Sequence, residues 1–222
     1  MTARSVSFPS GPFTIDARVH DPAGRVKGAM VVAHPHPLHG GTMDHSVVIA
    51  AAERAAARGL TALRFDFRGV RSSSGSVSDF LGHLDDWRAA LELAAGLANG
   101  GPVFGGGFSY GARSIAALVR PDRDRRPDVA GVLLLAPATR VPRSKRDFGA
   151  LLLGRPLKDA ALDEEILRNL ASIPVAAQVI VGEHDVVAPH EELGRSLPPD
   201  AGYQVLPGLN HFFSRKPGAG PT

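Results

Sequence analysis

The sequence of 222 residues contains no cysteine. That absence excludes a disulfide scaffold, a cysteine-ligated zinc site and a thiol nucleophile. An excess of charge of one sign is also missing, because 25 lysines and arginines stand against 22 acidic residues and leave a formal net charge of +3. Only two tyrosines and one tryptophan are available for stacking on bases. These two shortages argue against a nucleic-acid partner.

Long hydrophobic runs are absent as well. The longest apolar stretches, such as residues 129–138, fall well short of the roughly 20 residues that a membrane-spanning helix needs. The opening residues, MTARSVSFPSGPF, lack the apolar core of a secretory signal peptide. We therefore expect no membrane partner and predict a cytoplasmic location.

The composition that remains is that of an ordinary globular protein, with 44% hydrophobic and 21% charged residues. A chain of this length buries roughly 70% of its unfolded surface, which is enough for one sizeable core. Neither an internal repeat nor a long linker divides the sequence, so we predict a single domain over residues 1–222.

Short apolar runs alternate with longer stretches of helical periodicity. This alternation predicts an α/β fold with a mostly parallel sheet and helices on both of its faces. Residues 13–19 alternate in polarity and predict an antiparallel strand at the sheet edge. The other predicted strands lie at residues 28–33, 61–67, 103–105, 129–136, 175–181 and 203–206. The predicted helices lie at residues 44–58, with Asp44 as the N-cap, and at 80–97 and 110–120.

The clearest chemical motif is G-x-S-x-G at residues 107–111. The motif alone is weak, because a glycine-rich turn with an incidental serine has the same sequence. Its position between a predicted strand and a predicted helix is what a nucleophile elbow requires. There Gly107 and Gly111 give the clearance that a strained serine needs. We therefore predict Ser109 as the nucleophile and the amide of Tyr110, at the helix start, as an oxyanion donor.

A serine hydroxyl is inert at neutral pH without a base. His211 follows the last predicted strand, although an ordinary surface histidine near a terminus has the same position in the sequence. Asp185 follows the predicted strand at 175–181, and Glu183 is its rival as the acid of the site. The chain order of Ser109, Asp185 and His211 is the order found in α/β hydrolases, and it predicts a catalytic triad.

The loop after the predicted strand at 28–33 reads HPHPLHGG. Because Pro37 has no N–H to donate, Leu38 is predicted as the second oxyanion donor. The histidines at positions 34, 36 and 39 nearly reproduce the H-x-H-x-D-H loop of binuclear metallohydrolases, but Leu38 stands where the aspartate ligand belongs. We therefore predict no metal and no cofactor, and expect these histidines to pack and hydrogen-bond the loop.

Five sequence blocks follow one another as AHPHPLHGGTMDHSVV, RFDFRGVRSSSGS, GGFSYGA, VGEHDVV and LNHFF. Together they resemble a family of small, lidless α/β-hydrolase-fold proteins that are close to dienelactone hydrolases and are often described as predicted esterases. The resemblance implies an α/β-hydrolase fold and a serine esterase that cleaves small esters or related carbonyl compounds without a cofactor. It also implies the triad of Ser109, Asp185 and His211, with the amides of Tyr110 and Leu38 as oxyanion donors.

Two features depart from that family, and a third distinguishes the chain from larger relatives that insert a cap domain. Eleven residues follow His211, and their prolines and glycines predict a C-terminal helix that is short or absent. Either a second subunit covers the sheet face left open, which makes a homo-oligomer our expectation, or His211 is held loosely. Arg71 stands where related loops carry glycine, and we interpret it as a solvated loop arginine. About 35 residues between positions 138 and 174, with a basic segment at 143–146, are too few for a full cap domain, so we expect an open site for short acyl chains.

Two other classes of function stay open beside the serine hydrolase. A metallohydrolase would lose its activity to chelators, whereas a serine hydrolase would ignore them and react with a fluorophosphonate. A non-catalytic interaction protein that retains the hydrolase fold would fail both tests. The partner expected for the serine hydrolase is a small-molecule ester.

Overall fold

A computed structural model describes residues 3–122, 126–140 and 163–215. Two features of the sequence lie outside the described residues: the basic segment at 143–146, and the stretch from residue 216 onward where the short or absent C-terminal helix was expected. Within the described part of the chain, no helix combines the length and the apolar character that crossing a membrane requires.

The described residues form one eight-stranded sheet in the order β1-β2-β4-β3-β5-β6-β7-β8. Strand β1 pairs antiparallel with β2, and β2 pairs antiparallel with β4, whereas the remaining pairs are parallel. The strands are β1 (Arg4–Ser10), β2 (Phe13–His20), β3 (Gly28–Ala33), β4 (Leu60–Phe65), β5 (Val103–Phe108), β6 (Gly131–Leu135), β7 (Ala176–Gly182) and β8 (Gly202–Leu206). The predicted mostly parallel sheet is therefore confirmed.

Five helices in the described residues cover the two faces of the sheet. They are α1 (Ser46–Ala57), α2 (Phe80–Leu97), α3 (Tyr110–Leu118), α4 (Glu164–Ala171) and α5 (His190–Ser196). Helices α2 and α3 bury Trp87 and Ile115 in the larger core on one face, and α1 buries Val48 and Ala52 in the core on the other. The predicted α/β-hydrolase architecture, with helices on both faces, is confirmed.

Strand β3 shows why several strands have continuous apolar sequences. All six of its residues are buried. Val31 belongs to the core on the first face and Val32 to the core on the second, because successive side chains of a strand point to opposite sides. A strand covered on both faces needs apolar residues at every position, and this made β3 readable from its sequence.

Two local predictions are wrong in detail. The strand predicted at 13–19 is antiparallel, but it does not lie at the edge, because β1 pairs with β2 along its whole length. Asp44 is not the N-cap of α1. The cap is His45, whose Nδ1 accepts a hydrogen bond of 3.3 Å from the amide of Val47. The Asp44 carboxylate binds Arg64 and Arg71 instead, and such charge-assisted pairs compete well against a neutral cap.

The second sheet face carries an apolar groove beside α1. Met30, Leu133 and Ile180 line it on the sheet side, and the exposed Ala50 lines it on the helix side. The expectation from the sequence is that a second subunit covers a sheet face left open, and this groove is an apolar surface of that kind. No observation tests that expectation, so self-association stays a prediction.

Sedimentation velocity of the purified chain tests this prediction. We expect an oligomer, and we expect Ala50→Glu to shift it toward monomer because a carboxylate buried in an apolar interface loses its hydration. Ala95→Glu is the matched control, since Ala95 is an exposed alanine on α2, which packs on the opposite face. A wild-type chain that sediments only as monomer would contradict the prediction.

Candidate active site

A strained turn places Ser109 between β5 and α3. Its backbone has φ of 56° and ψ of −108°, a positive φ that residues other than glycine rarely adopt. The two glycines of the motif leave no room for side chains. A Cβ on Gly107 would lie 2.3 Å from the carbonyl carbon of Gly111, and one on Gly111 would lie 2.5 Å from the carbonyl oxygen of Ala33. The glycine spacing is therefore required by the close packing of α3 on the sheet.

The three residues of the predicted triad lie in one hydrogen-bonded chain. His211 Nε2 lies 2.9 Å from Ser109 Oγ, and His211 Nδ1 lies 2.8 Å from Asp185 Oδ2. In the neutral tautomer that this geometry supports, the serine hydroxyl donates to Nε2 and Nδ1–H donates to the carboxylate. Each of the three residues is at least 90% buried. They follow β5, β7 and β8, whose carboxyl ends meet at one edge of the sheet.

Asp185 is held in a fixed orientation by the turn that follows it. Its Oδ1 accepts hydrogen bonds from the amides of Val187 at 2.9 Å and Ala188 at 2.8 Å, which leaves Oδ2 for His211. Glu183, the rival in the sequence, accepts instead from the amide of Gly208 at 2.7 Å. Among the described residues, Asp185 is thus the carboxylate in contact with the histidine.

A compact turn after β8 carries His211. The side-chain oxygen of Asn210 accepts hydrogen bonds from the amides of Phe212 at 3.0 Å and Ser214 at 3.2 Å. The imidazole packs against the ring of Phe108, with 5.3 Å between the ring centroids. His211 is therefore fixed by contacts within this chain, which answers the expectation of a loosely held histidine.

The loop at residues 34–41 is ordered by its own histidines. His34 is fully buried, and its Nε2 accepts a hydrogen bond of 3.1 Å from the amide of Phe67, while Nδ1 lies 2.6 Å from the carbonyl of Pro35. His36 Nδ1 accepts from the amide of Leu38 at 3.2 Å. The expected packing and hydrogen bonding is thus confirmed for His34 and His36. Within the described residues, no group of three or more histidine, aspartate or glutamate side chains is arranged to hold a metal ion.

Leu38 is not among the residues that line the cavity over Ser109. The residue is 61% exposed, and its amide donates to Nδ1 of His36. His36, two residues earlier, lines the cavity over Ser109. Among the described residues, no acceptor lies within hydrogen-bonding distance of the His36 amide.

Tyr110 anchors the start of α3 through its side chain. The phenol oxygen lies 2.6 Å from Nδ1 of His83 on α2, and the ring contacts Phe67 and Phe80 edge-on. Burial raises the pKa of the Tyr110 phenol well above its usual range, so the group stays neutral. The amide next to Ser109 is thereby fixed by a buried aromatic cluster.

An ionic network supports the neighbouring loops. Arg71 is an exposed loop residue, as the sequence predicted, but two carboxylates also hold it in place. Its Nε donates to the buried Asp66 at 2.6 Å, and its guanidinium also binds Asp44, which in turn binds Arg64. Asp66 accepts a further hydrogen bond of 2.6 Å from the amide of Met43. The network connects the loop after β4 to the segment that leads into α1.

A cavity of about 100 Å³ lies over Ser109 and His211. The larger side chains that line it, besides the triad, include His36, His45, Tyr110, Arg113, Arg140 and Phe212. No acidic side chain lines it in the part of the chain that the structure describes. The cavity is therefore a small, partly aromatic space with two cationic side chains.

Sequence reasoning missed both arginines of the cavity. Arg113 had a readable signal, because it follows Ser109 by four residues on the helix of the elbow, and residues at that spacing share a helix face. Arg140 had none, since it lies beyond β6 and enters the cavity through the tertiary fold.

Comparisons with known proteins identify the family of the chain. The sequence profile of the family described as "Serine aminopeptidase, S33" matches residues 24–162, more than half of the chain. The chain belongs to this family of α/β serine hydrolases. The matched region contains Ser109 and ends before Asp185 and His211.

Individual relatives support the lidless form of the fold. The "Uncharacterized protein RP471" of Rickettsia prowazekii is 27% identical over 215 residues, covering 88% of this chain and 80% of the relative. An alpha-beta serine hydrolase homologue from Coxiella burnetii has a TM-score of 0.74 at 24% identity, covering 96% of this chain and 91% of that one. XC6422 of Xanthomonas campestris, described as a serine hydrolase without lid, has a TM-score of 0.67 at 24% identity and covers 96% and 87%. The predicted small lidless α/β-hydrolase family is thus confirmed.

The buried His34 makes stability depend on pH. Burial lowers its pKa to about 3. Protonation of Nε2 would also replace the hydrogen bond from the Phe67 amide with a repulsive contact between two N–H groups. A histidine with a lowered pKa in the folded state contributes stability that is complete above the unfolded pKa near 6.5 and is lost as the pH falls below it. We expect this group to remove about 2 kcal/mol of unfolding free energy between pH 6.5 and 5.

Urea unfolding at pH 7, 6 and 5 measures this loss. We expect His34→Gln to reduce the dependence of stability on pH without abolishing it, because burial also lowers the pKa of His36 and His83. His184→Gln is the control, since His184 lies on the surface. An equal dependence on pH in the wild type and in His34→Gln would show that His34 is not the group responsible.

Proposed function

We propose that this protein is a serine esterase that cleaves small, short-acyl esters through an acyl-enzyme. The observation that carries the proposal is the unbroken hydrogen-bonded chain from Ser109 through His211 to Asp185, with heavy-atom distances of 2.9 and 2.8 Å. A nucleophile, a base and an orienting carboxylate in contact are the groups that acyl transfer requires.

The first half of the proposed reaction forms the acyl-enzyme. His211 Nε2 takes the proton of the Ser109 hydroxyl as Oγ attacks the ester carbonyl carbon. The resulting imidazolium is stabilised by Asp185, whose orientation the amides of Val187 and Ala188 fix. Collapse of the tetrahedral intermediate breaks the bond to the alcohol, which receives the proton from Nε2.

The second half hydrolyses the acyl-enzyme. Water enters the place of the alcohol, gives its proton to Nε2 and attacks the acyl carbon. The second tetrahedral intermediate releases the carboxylic acid, and the proton returns to Ser109. The same three side chains therefore serve both halves of the cycle.

Two amides are proposed to stabilise the oxyanion. The amide of Tyr110, at the start of α3, keeps its role because helix N-termini attract developing negative charge. For the second donor we propose the amide of His36 in place of Leu38. His36 lines the cavity over Ser109, and its N–H has no acceptor among the described residues, whereas the Leu38 N–H is used by the His36 ring.

The size of the cavity supports short acyl groups. The cavity is small, at about 100 Å³, so a long acyl chain would extend into solvent. Burial of its hydrocarbon would then contribute little to binding. We therefore propose esters of short acids as the substrates.

Ser109→Ala tests the nucleophile. We expect kcat for a short-chain ester to fall roughly 10⁴- to 10⁶-fold, because a triad acts as a unit. A fluorophosphonate probe, mapped by mass spectrometry, is expected to modify Ser109 in the wild type and to leave the variant unlabelled. Ser78→Ala, at an exposed serine, is the control. Near-normal esterase activity in a folded Ser109→Ala protein would contradict the assignment.

A second pair of variants tests the acid of the site. Asp185→Asn is expected to lower kcat on the order of 10⁴-fold, because the amide no longer selects the productive imidazole tautomer. Glu183→Gln is the matched control, since Glu183 lies two residues earlier and contacts the amide of Gly208 rather than His211. Steady-state kinetics that show the larger loss in Glu183→Gln would transfer the role to that residue.

A further inference from the structure

The charge of the cavity has a consequence for the choice of substrate. Arg113 and Arg140 both line the space over Ser109, and no acidic side chain lines it among the described residues. From this arrangement we infer that the two guanidinium groups bind a carboxylate on the substrate, so that the enzyme prefers anionic esters to neutral ones. The inference rests on the proposed esterase function and defines its substrate class.

Arg113 has hydrogen-bonding capacity left for a ligand. Its Nη2 donates to Asp163 Oδ2 at 3.2 Å. The other oxygen of Asp163 accepts a hydrogen bond of 3.3 Å from the amide of Ile166 at the start of α4. A guanidinium carries five N–H donors. In the described part of the chain, Nε and Nη1 of Arg113 have no acceptor.

Arg140 also lines the cavity and is likewise paired to a carboxylate. Its guanidinium binds Glu192 through one nitrogen, while Nε is buried without a hydrogen-bond partner among the described residues. Its backbone amide donates to the carbonyl of Val187 at 2.9 Å, beside the turn that orients Asp185. The side chain therefore extends from a fixed point close to the catalytic acid.

The arginines are the source of positive charge in the cavity. Burial lowers the pKa of His36 to about 4 and lowers the pKa values of His39 and His45 below their usual range, so these rings are neutral at pH 7. Burial also lowers the pKa of Arg113, but a guanidinium remains protonated in proteins. A carboxylate that binds here forms charge-assisted hydrogen bonds to the guanidinium groups. Because these groups are partly buried, the carboxylate displaces little water from them.

The same charges disfavour a cationic substrate. Although the family is described as serine aminopeptidase, the free α-ammonium group of a peptide would meet two guanidinium groups in the cavity lining, whereas the carboxylates of Asp163 and Glu192 that pair with them lie outside that lining. Like charges at short distance in a partly buried site repel strongly. The inference therefore includes weak activity on aminoacyl compounds.

Two matched ester pairs test the preference in the wild type. Monoethyl succinate and ethyl butyrate differ by a carboxylate in place of a methyl group on the acyl side. 4-Acetoxybenzoate and 4-acetoxytoluene differ in the same way on the leaving-group side. With hydrolysis followed in a pH-stat, we expect the anionic member of at least one pair to have a kcat/KM roughly 10- to 100-fold higher. The pair that shows the preference identifies the side that carries the carboxylate.

Variants assign the preference to the two arginines. In Arg113→Gln and in Arg140→Gln we expect the ratio of kcat/KM for the anionic and neutral members to fall about tenfold, mainly through KM. Arg168→Gln is the control, because it removes one positive charge at an exposed pair on α4. The rate of fluorophosphonate labelling at Ser109 reports whether each variant keeps an intact site.

Each outcome bears on the inference. A wild-type enzyme that labels at Ser109 and cleaves the neutral members as well as the anionic ones would overturn the inference and leave the esterase function standing. A preference that survives in both variants would also overturn it. A chain that labels at no serine and cleaves none of the four esters contradicts the proposed function and this inference together. If a variant does not fold, the wild-type ratios and their decrease at high salt still decide the question.

Discussion

The site depends on how closely α3 approaches the ends of β3 and β5. A side-chain carbon on Gly107 or Gly111 would overlap the neighbouring backbone. Because the helix packs this closely on the sheet, Ser109 adopts a strained turn with a φ of 56°. A strained residue persists only where its surroundings determine its conformation. Here the surroundings are the sheet below the helix and the buried contact between Tyr110 and His83 beside it. The packing of a whole helix thus holds the hydroxyl of Ser109 at the angle from which it reaches His211.

The parts of the fold that sequence predicted best are those in which burial dictates composition. The parallel strands β3 and β6 could be located because a strand covered on both faces needs continuous apolar residues. The strand ends shifted by a few residues, because the last hydrogen bond of a strand depends on its neighbour rather than on its own sequence. Strand β1 was missed for a related reason: it has one covered face, and its alternating sequence, RSVSFPS, is only half apolar.

In the candidate site, too, some residues could be predicted from the sequence and others could not. Ser109, Asp185 and His211 could be named because each follows an apolar run and parallel strands end at a common edge. The sequence did not predict which partner a group binds when several hydrogen-bonding or ionic partners compete for it. Asp44 binds two arginines rather than capping α1, and the Leu38 amide binds the ring of His36 rather than facing Ser109. Asp44 is bound by arginines that are distant in the sequence, and the Leu38 amide is bound by a side chain that folds back locally. Residue spacing does not predict contacts of either kind. Arg140 enters the site by the same kind of long-range contact.

The position of His211, on the turn that follows the edge strand β8, has a consequence for biosynthesis. Ser109 leaves the ribosome 102 residues before its base, which at ordinary translation speeds corresponds to about 5–20 s. During that interval the hydroxyl of Ser109 has no imidazole to accept its proton. Under the proposed mechanism, the nucleophile of the nascent chain therefore stays inactive until the turn after β8 has been synthesised and docks beside it.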